Sequence, residues 1–306
     1  MTSGYIPSGF IHTPLTPFTP ADKIDHRLVE RLVDFHTAHG ATAICAPTHI
    51  GESPSLTEEE RRDLIRVVLS AAGGRVPVIA HISRPGTMLT AESARDAQRA
   101  GAAAIMVGVP YYWTPPAHML LEHFSQVAGA VDVPMLVYNS PTEMADVALS
   151  ADLLLKLIER APNFMGIVDL SLDWQFLIEL APQAKKARQE FVLVSGSEYM
   201  VPMQAIGGAG SFSALSAIAP NLVRRLFDLC SKEGYDEARQ LQFTISELRQ
   251  VLKPWPVKSI KAAMEMMGRP VGETRPPVMP LPLEEKQRLW RALERFQFFD
   301  SEPRGW

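Results

Sequence analysis

Apolar and polar positions along the chain follow two periods in turn. Short, nearly unbroken apolar runs recur: GFIHTPLT, TAICAPT, VPVIAHIS, AAIMVGVP, VPMLVYNSP, FMGIVDLS, EFVLVSGS and AGSFSAL. Each is bounded by Gly, Pro, Ser or Asn, as strand ends are. Between them lie longer segments whose apolar residues repeat about every 3.6 positions, the mark of amphipathic helices. DHRLVERLVDFHTAHG puts Leu28, Val29, Leu32, Val33 and Phe35 on one face and closes on Gly40 as a C-cap. SLTEEERRDLIRVVLSAAGG opens with Thr57 and Glu60 at capping-box spacing and ends at Gly73. TAESARDAQRAGA predicts Thr90 as an N-cap and Gly101 just beyond the helix.

Eight strand–helix units count out a (β/α)8 TIM barrel. Runs that are apolar throughout, rather than alternating, suit parallel strands covered on both faces. A doubly wound open sheet is the alternative; no GxGxxG follows the first strand to support it. Residues 1–216 are assigned to the barrel. Residues 217–306 read as the last barrel helix plus a C-terminal helical extension packed on it, with MEMM at 264–267 as helix core.

Composition narrows the class. The 306 residues are 46% hydrophobic with a formal charge of −4. No basic run points to nucleic acid, and no apolar stretch is long enough for a membrane span. The opening residues MTSGYIPSGF lack the pattern of a secretory signal. Cys45 and Cys230 form no CxxC pair and read as free thiols. The expectation is a soluble cytoplasmic enzyme acting on a small molecule.

In a barrel of this kind chemistry gathers where the strands end. The candidates there are His12, Thr16, Thr48, His49, Glu52, His81, Ser83, Tyr111, Tyr112, Tyr138, Asn139, Asp169, Ser195, Ser197, Glu198 and Ser213. No lysine is among them: Lys156, Lys185, Lys186, Lys232, Lys253, Lys258, Lys261 and Lys286 all fall in or beside helices. His12, inside the first strand, reads as a core histidine. Asp169 and Ser171 stand near the next helix start, where capping is the competing role. Ser195-Gly196-Ser197 forms a small-residue loop whose N–H groups suit a carboxylate or phosphate.

Several segments together resemble the dihydrodipicolinate synthase and N-acetylneuraminate lyase superfamily. LTPFTPADKID resembles its opening strand and turn, THIGESPSLTEEER its GTTGE…LTxEExR segment, VPYYWTPP its PYY loop and VYNSP its YNxP strand end. SGSEYMVPMQAIGGAGSFSALSAIAP resembles its last two units. The resemblance implies a lyase or aldolase, a homodimer or dimer-of-dimers tetramer, no cofactor, Tyr138 as proton-relay phenol and Tyr112 as the tyrosine lent across a dimer interface. It also implies a Schiff-base lysine on the sixth strand, in a G-[IV]-K-[DE] context.

Here that text is GIVDLS, and Val168 fills the lysine's place. His49 and Ile50 replace the paired threonines, and Glu143 stands where the family's carboxylate-binding arginine follows YNxP. Three readings follow. The first is a lyase acting on a small carbonyl or oxo/hydroxy acid without an imine. It would use Tyr138, Tyr112 and His49 catalytically and Thr48, Ile50, His81, Asn139, Glu143, Val168, Asp169, Ser195 and Ser213 around the substrate. The second is a non-catalytic small-molecule binder. The third is a metal-assisted aldolase or hydratase built on His49 and His81.

Overall fold

The computed structural model describes residues 5–306. All eight apolar runs are strands: β1 Gly9–His12, β2 Ala43–Ala46, β3 Val78–His81, β4 Ala104–Gly108, β5 Met135–Asn139, β6 Phe164–Asp169, β7 Val192–Ser195 and β8 Gly210–Ser213. They pair in parallel in chain order, and β8 returns to β1 to close the barrel. Helices α1 His26–Ala38, α2 Glu58–Ala72, α3 Thr87–Ala100, α4 Ala117–Ala128, α5 Ala151–Arg160, α6 Trp174–Ala187, α7 Met200–Ala205 and α8 Pro220–Ser231 follow the strands one by one. Side chains point alternately into the barrel and out against these helices. Both faces are therefore dry, and every residue of β4 and β5 is buried.

The local signals explain most element ends. Thr57 and Glu60 form the expected capping box, and Gly73 closes α2 in the left-handed region at φ 55°. The apolar face of α1 also takes in His36, while Leu28 is only half-buried. The cap of α1 is His39, with Gly40 next at φ 85°. One expectation is corrected: Thr90 is not an N-cap. Helix α3 starts earlier, with Gly86 as cap, and the Thr90 hydroxyl donates back to the Gly86 carbonyl at 2.9 Å. The preceding Ser-Arg-Pro-Gly carries no hydrophobic period, which hid the first turn.

Between β5 and β6 the register slips after Met135, leaving Met165 as an extra residue. Gly166 follows it, and a Cβ there would sit 2.3 Å from the Val192 carbonyl oxygen, so the approach of β7 requires glycine.

Beyond the barrel come α9 Tyr235–Leu252, α10 Pro256–Met266 and α11 Leu283–Leu293. Met264 and Met267 are fully buried. Three polar clamps fix α9 and α10 over the strand ends. Gln242 Oε1 accepts from the Met200 and Val201 N–H groups at 2.9 and 3.2 Å, and its Nε2 donates to the Glu198 carbonyl at 2.7 Å. Arg249 pairs with the Glu198 carboxylate. Lys261 reaches Glu52 at 2.7 Å, and both side chains are buried.

Candidate active site

A cavity of about 420 Å³ opens at the C-terminal mouth of the barrel, within the size range of small-molecule sites. Residues of β3, β4, β5 and β8 and of the loops after β1, β2, β5, β6, β7 and β8 form its floor and flanks, and α9 and α10 close one side.

The best-connected group lies at the end of β5. Tyr138 donates its phenolic hydrogen bond to Glu143 Oε2 at 2.7 Å. His49 Nδ1 lies 3.1 Å from the other carboxylate oxygen. Glu143 sits in a single 3₁₀ turn, Pro141–Glu143, immediately after the strand. That turn folds the carboxylate back over the phenol that precedes it by five residues. The three groups shift one another's protonation. Burial pushes the Tyr138 phenol well above its ordinary value of 10.0, and the charge of Glu143 adds to it. Burial alone would raise Glu143, but hydrogen bonds from His49 and Tyr138 outweigh it and hold the carboxyl below its usual range. The bond to Glu143 raises His49 against the opposing effect of burial. Near neutrality the arrangement is a neutral phenol, a carboxylate and an imidazole inclined to stay protonated.

His81 is a different kind of histidine. Its Nδ1 faces the Pro47 carbonyl at 2.8 Å, which can only accept, so the proton resides there. Nε2 then accepts from Ser83 Oγ at 2.7 Å, and Ser83 Oγ accepts from the Gly108 N–H at 2.6 Å. Both nitrogens are committed, and burial, aided by Arg61, lowers this imidazole to about 4. It touches the cavity as a neutral wall against Tyr138, ring centroids 5.8 Å apart, and offers no lone pair to a cation. Among the described residues, no three His, Cys, Asp or Glu side chains gather into a metal-holding group.

The structure thus gathers Thr48, His49, Ile50, His81, Tyr138 and Glu143 at one cavity. The Thr48 hydroxyl is buried without a hydrogen-bond partner. Val168 is fully buried, in register with Tyr138 and on the same sheet face, but does not line the cavity. Asn139 and Asp169 form a buried pair beside it: Asn139 Nδ2 donates to Asp169 Oδ1 at 2.6 Å. Burial outweighs that bond and the Ser171 hydroxyl, and raises Asp169. Asp169 does not cap α6; Asp173 does, accepting from the Phe176 N–H at 3.0 Å. Ser195 donates to the Ser197 carbonyl and Ser213 to Glu198 Oε1, so both brace the loops. Tyr112 and Trp113 are exposed on the loop after β4, Tyr112 at φ 87° and 83% accessible, outside the cavity.

His12 is fully buried, its Nδ1 2.9 Å from that of His36, as a core histidine. Among the wall residues that strand-end reasoning missed, Arg249, Gln250, Leu252, Lys253, Pro256 and Ile260 form one group. They belong to helices outside the barrel repeat, and a helical period does not say which helix end overhangs the mouth.

Similarity to known proteins agrees with the fold. Residues 6–296 match the model of the dihydrodipicolinate synthetase family. The 4-hydroxy-tetrahydrodipicolinate synthase 1 of Halalkalibacterium halodurans is 31% identical over 290 residues, covering 94% of this chain and 97% of that one. The crystal structure of dihydrodipicolinate synthase from Aquifex aeolicus matches with a TM-score of 0.89 and 28% identity, over 95% of this chain and 98% of that one. A prophage protein of E. coli K12 belonging to the dihydrodipicolinic acid synthase family, solved in complex with pyruvate, matches with a TM-score of 0.89 and 28% identity, over 95% of this chain and 99% of that one.

Proposed function

This chain belongs to the dihydrodipicolinate synthetase family, a family of lyases, and from that premise we propose that it acts on a small carbonyl or oxo/hydroxy acid by acid–base chemistry, without a lysine imine. The observation that carries this reading is the hydrogen-bonded chain Tyr138–Glu143–His49 on the cavity wall. Val168, beside Tyr138 on the next strand, has no amine to condense with a ketone. By resemblance it occupies the place of the family's lysine.

The chain of three supports a specific proton route. A substrate hydroxyl gives its proton to the Tyr138 oxygen while the phenolic proton passes to Glu143. The carbon–carbon bond beside that hydroxyl then breaks: the hydroxyl carbon becomes a carbonyl, and the bond's electron pair comes to rest on the departing oxo acid as an enolate. Without an iminium as electron sink, the enolate oxygen needs donors. His49, whose bond to Glu143 favours its protonated form, and the unpartnered Thr48 hydroxyl line the same cavity and suit that purpose. A 2-oxo acid of the size of the pyruvate bound by the E. coli prophage protein suits the cavity.

The reading is tested with a panel of 2-oxo acids and aldehydes, assayed with and without chelator, alongside borohydride treatment in the presence of pyruvate. Turnover insensitive to chelator, with no borohydride-trapped adduct, is the expected result. A trapped adduct, or turnover abolished by chelator, overturns it. Saturable binding with no turnover of any member would make the protein a ligand binder on the same scaffold.

A further inference from the structure

The cavity wall carries two carboxylates and two fixed cations besides His49. Glu143 is matched by His49, and Glu198 is matched by Arg249. Lys253, the C-cap residue of α9, is the remaining cation. It lines the same cavity and makes no ion pair among the described residues. It is exposed at the cavity rim, and no carboxylate among the described residues holds it.

Its placement is fixed by the helix it ends. Gln242 ties α9 to the backbone of the loop after β7, and Arg249 is anchored on Glu198, itself fully buried. Glu198 Oε1 also takes hydrogen bonds from Ser213 Oγ and from the Ala214 and Leu215 N–H groups, at 2.9, 3.0 and 3.0 Å. It is thus saturated by neighbours other than Lys253. Arg249 and Lys253 are four residues apart, on one face of the helix. Anchoring the first therefore holds the second over the mouth.

We propose that Lys253 is the anion anchor of this cavity and receives the carboxylate of a monoanionic substrate, the substrate's reacting end lying toward Tyr138. This assigns the substrate class for the acid–base reading above and rests on it. Glu143 is engaged by His49 and Tyr138, and Arg249 by Glu198, so Lys253 is the lining cation left for a carboxylate. Lys253 forms an ion pair and no covalent bond.

The probes are pyruvate, 2-oxobutyrate and glycerate, with methyl pyruvate as the uncharged counterpart, measured by calorimetry on the full chain. We expect at least one carboxylate to bind saturably, and methyl pyruvate to bind about tenfold more weakly than pyruvate, the discrimination given by a charge-assisted contact. Lys253→Met abolishes that preference, and Lys253→Arg restores it. For any member turned over, Lys253→Met raises KM and leaves kcat nearly unchanged. No saturable carboxylate binding, equal binding of acid and ester by the native protein, or native affinity in Lys253→Met overturns the assignment. So does a borohydride-trapped pyruvate mapped to Lys253, which would make the residue a nucleophile. Charge-dependent binding at Lys253 without turnover would sink the acid–base reading alone. Turnover that needs Tyr138 but ignores Lys253 would sink the anchor alone.

Discussion

Tyr138 and Glu143 are joined by a 2.7 Å hydrogen bond in which the phenol donates, though strand β5 holds the first and the turn after it holds the second. Burial, with the charge and hydrogen bond of Glu143 added to it, keeps the phenol neutral. Glu143, which stands where the resemblance implies a carboxylate-binding arginine, is the centre of the chain that links Tyr138 to His49.

Tyr138→Phe removes the oxygen proposed for acid–base chemistry and leaves the ring's packing intact. Turnover of any substrate found is expected to fall by about 10²–10⁴ in kcat, the usual contribution of positioned proton transfer. KM should change little. Stability should drop by about 1 kcal/mol, the net value of one hydrogen bond. Steady-state kinetics with a denaturation curve check both, and an unchanged kcat would remove Tyr138 from the mechanism.

The His49–Glu143 pair has a pH window that can be derived from its shifts. His49 is raised above 6.5 in the fold, so its contribution to stability is complete below 6.5 and disappears as pH rises through the higher folded value. Glu143 is lowered below 4.5, so its contribution is complete above 4.5 and disappears as pH falls through the lower folded value. The pair is therefore fully stabilising between 4.5 and 6.5 and weakens on either side. NMR titration of His49 in native protein and in Glu143→Gln tests this. The variant should titrate lower, because the raising partner is gone while burial remains. An identical titration would show that the contact is not maintained in solution.

Other imidazoles act in the opposite direction. Burial lowers His81 and His123 to about 4 and His36 to about 3. Charge on Arg61 adds to the effect at His81, and charge on Arg269 at His36. Each is neutral in the fold at a pH where the unfolded chain, at 6.5, already binds a proton. Stability therefore falls as pH drops from about 6.5 toward 4, each fully buried imidazole costing on the order of a few kcal/mol at most. Denaturant midpoints at pH 7 and pH 5 should show the loss, and His81→Gln, which keeps a donor and an acceptor, should reduce it. A midpoint flat across that range would mean that these rings are solvated.

The barrel was legible because its signal is repeated: eight apolar runs with turn residues at both ends, each followed by a helical period. Thr57 with Glu60 and Gly73 marked their helix ends because capping is local chemistry. Legibility failed where the deciding contact is distant. Thr90 looks like a cap in its own sequence and is an interior residue. Asp169 stands near a helix start, yet its hydrogen bonds go to Asn139 and to Ser171, and Asp173 takes the cap. At the site, strand-end logic found Tyr138, His49 and Thr48, since topology alone brings strand ends together. It could not find Arg249 or Lys253, whose position depends on how α9 docks.

Helix α10, which closes the same side of the cavity, is held by the buried ion pair between Glu52, on the loop after β2, and its own Lys261. Nζ and Oε1 are 2.7 Å apart, with side-chain exposures of 3% and 2%. The second carboxylate oxygen accepts from the Arg275 N–H at 2.8 Å, and Lys261 Nζ also donates to the Glu273 carbonyl at 2.9 Å. Each partner thus has a second polar contact. Burial still lowers Lys261, against the pull of Glu52, which shows what desolvation costs the ammonium. Lys261→Met keeps the length of the side chain and removes the charge, leaving a carboxylate buried and unpaired. The expected loss is about 3–5 kcal/mol, the cost of breaking a buried pair from one side. Lys261→Met with Glu52→Gln should recover much of it, because no net charge then remains. The same loop carries His49 three residues before Glu52, so the single variant should also weaken ligand binding at the cavity. Equilibrium denaturation of both variants decides the matter, and a single-variant loss within about 0.5 kcal/mol of zero would mean that water reaches Glu52.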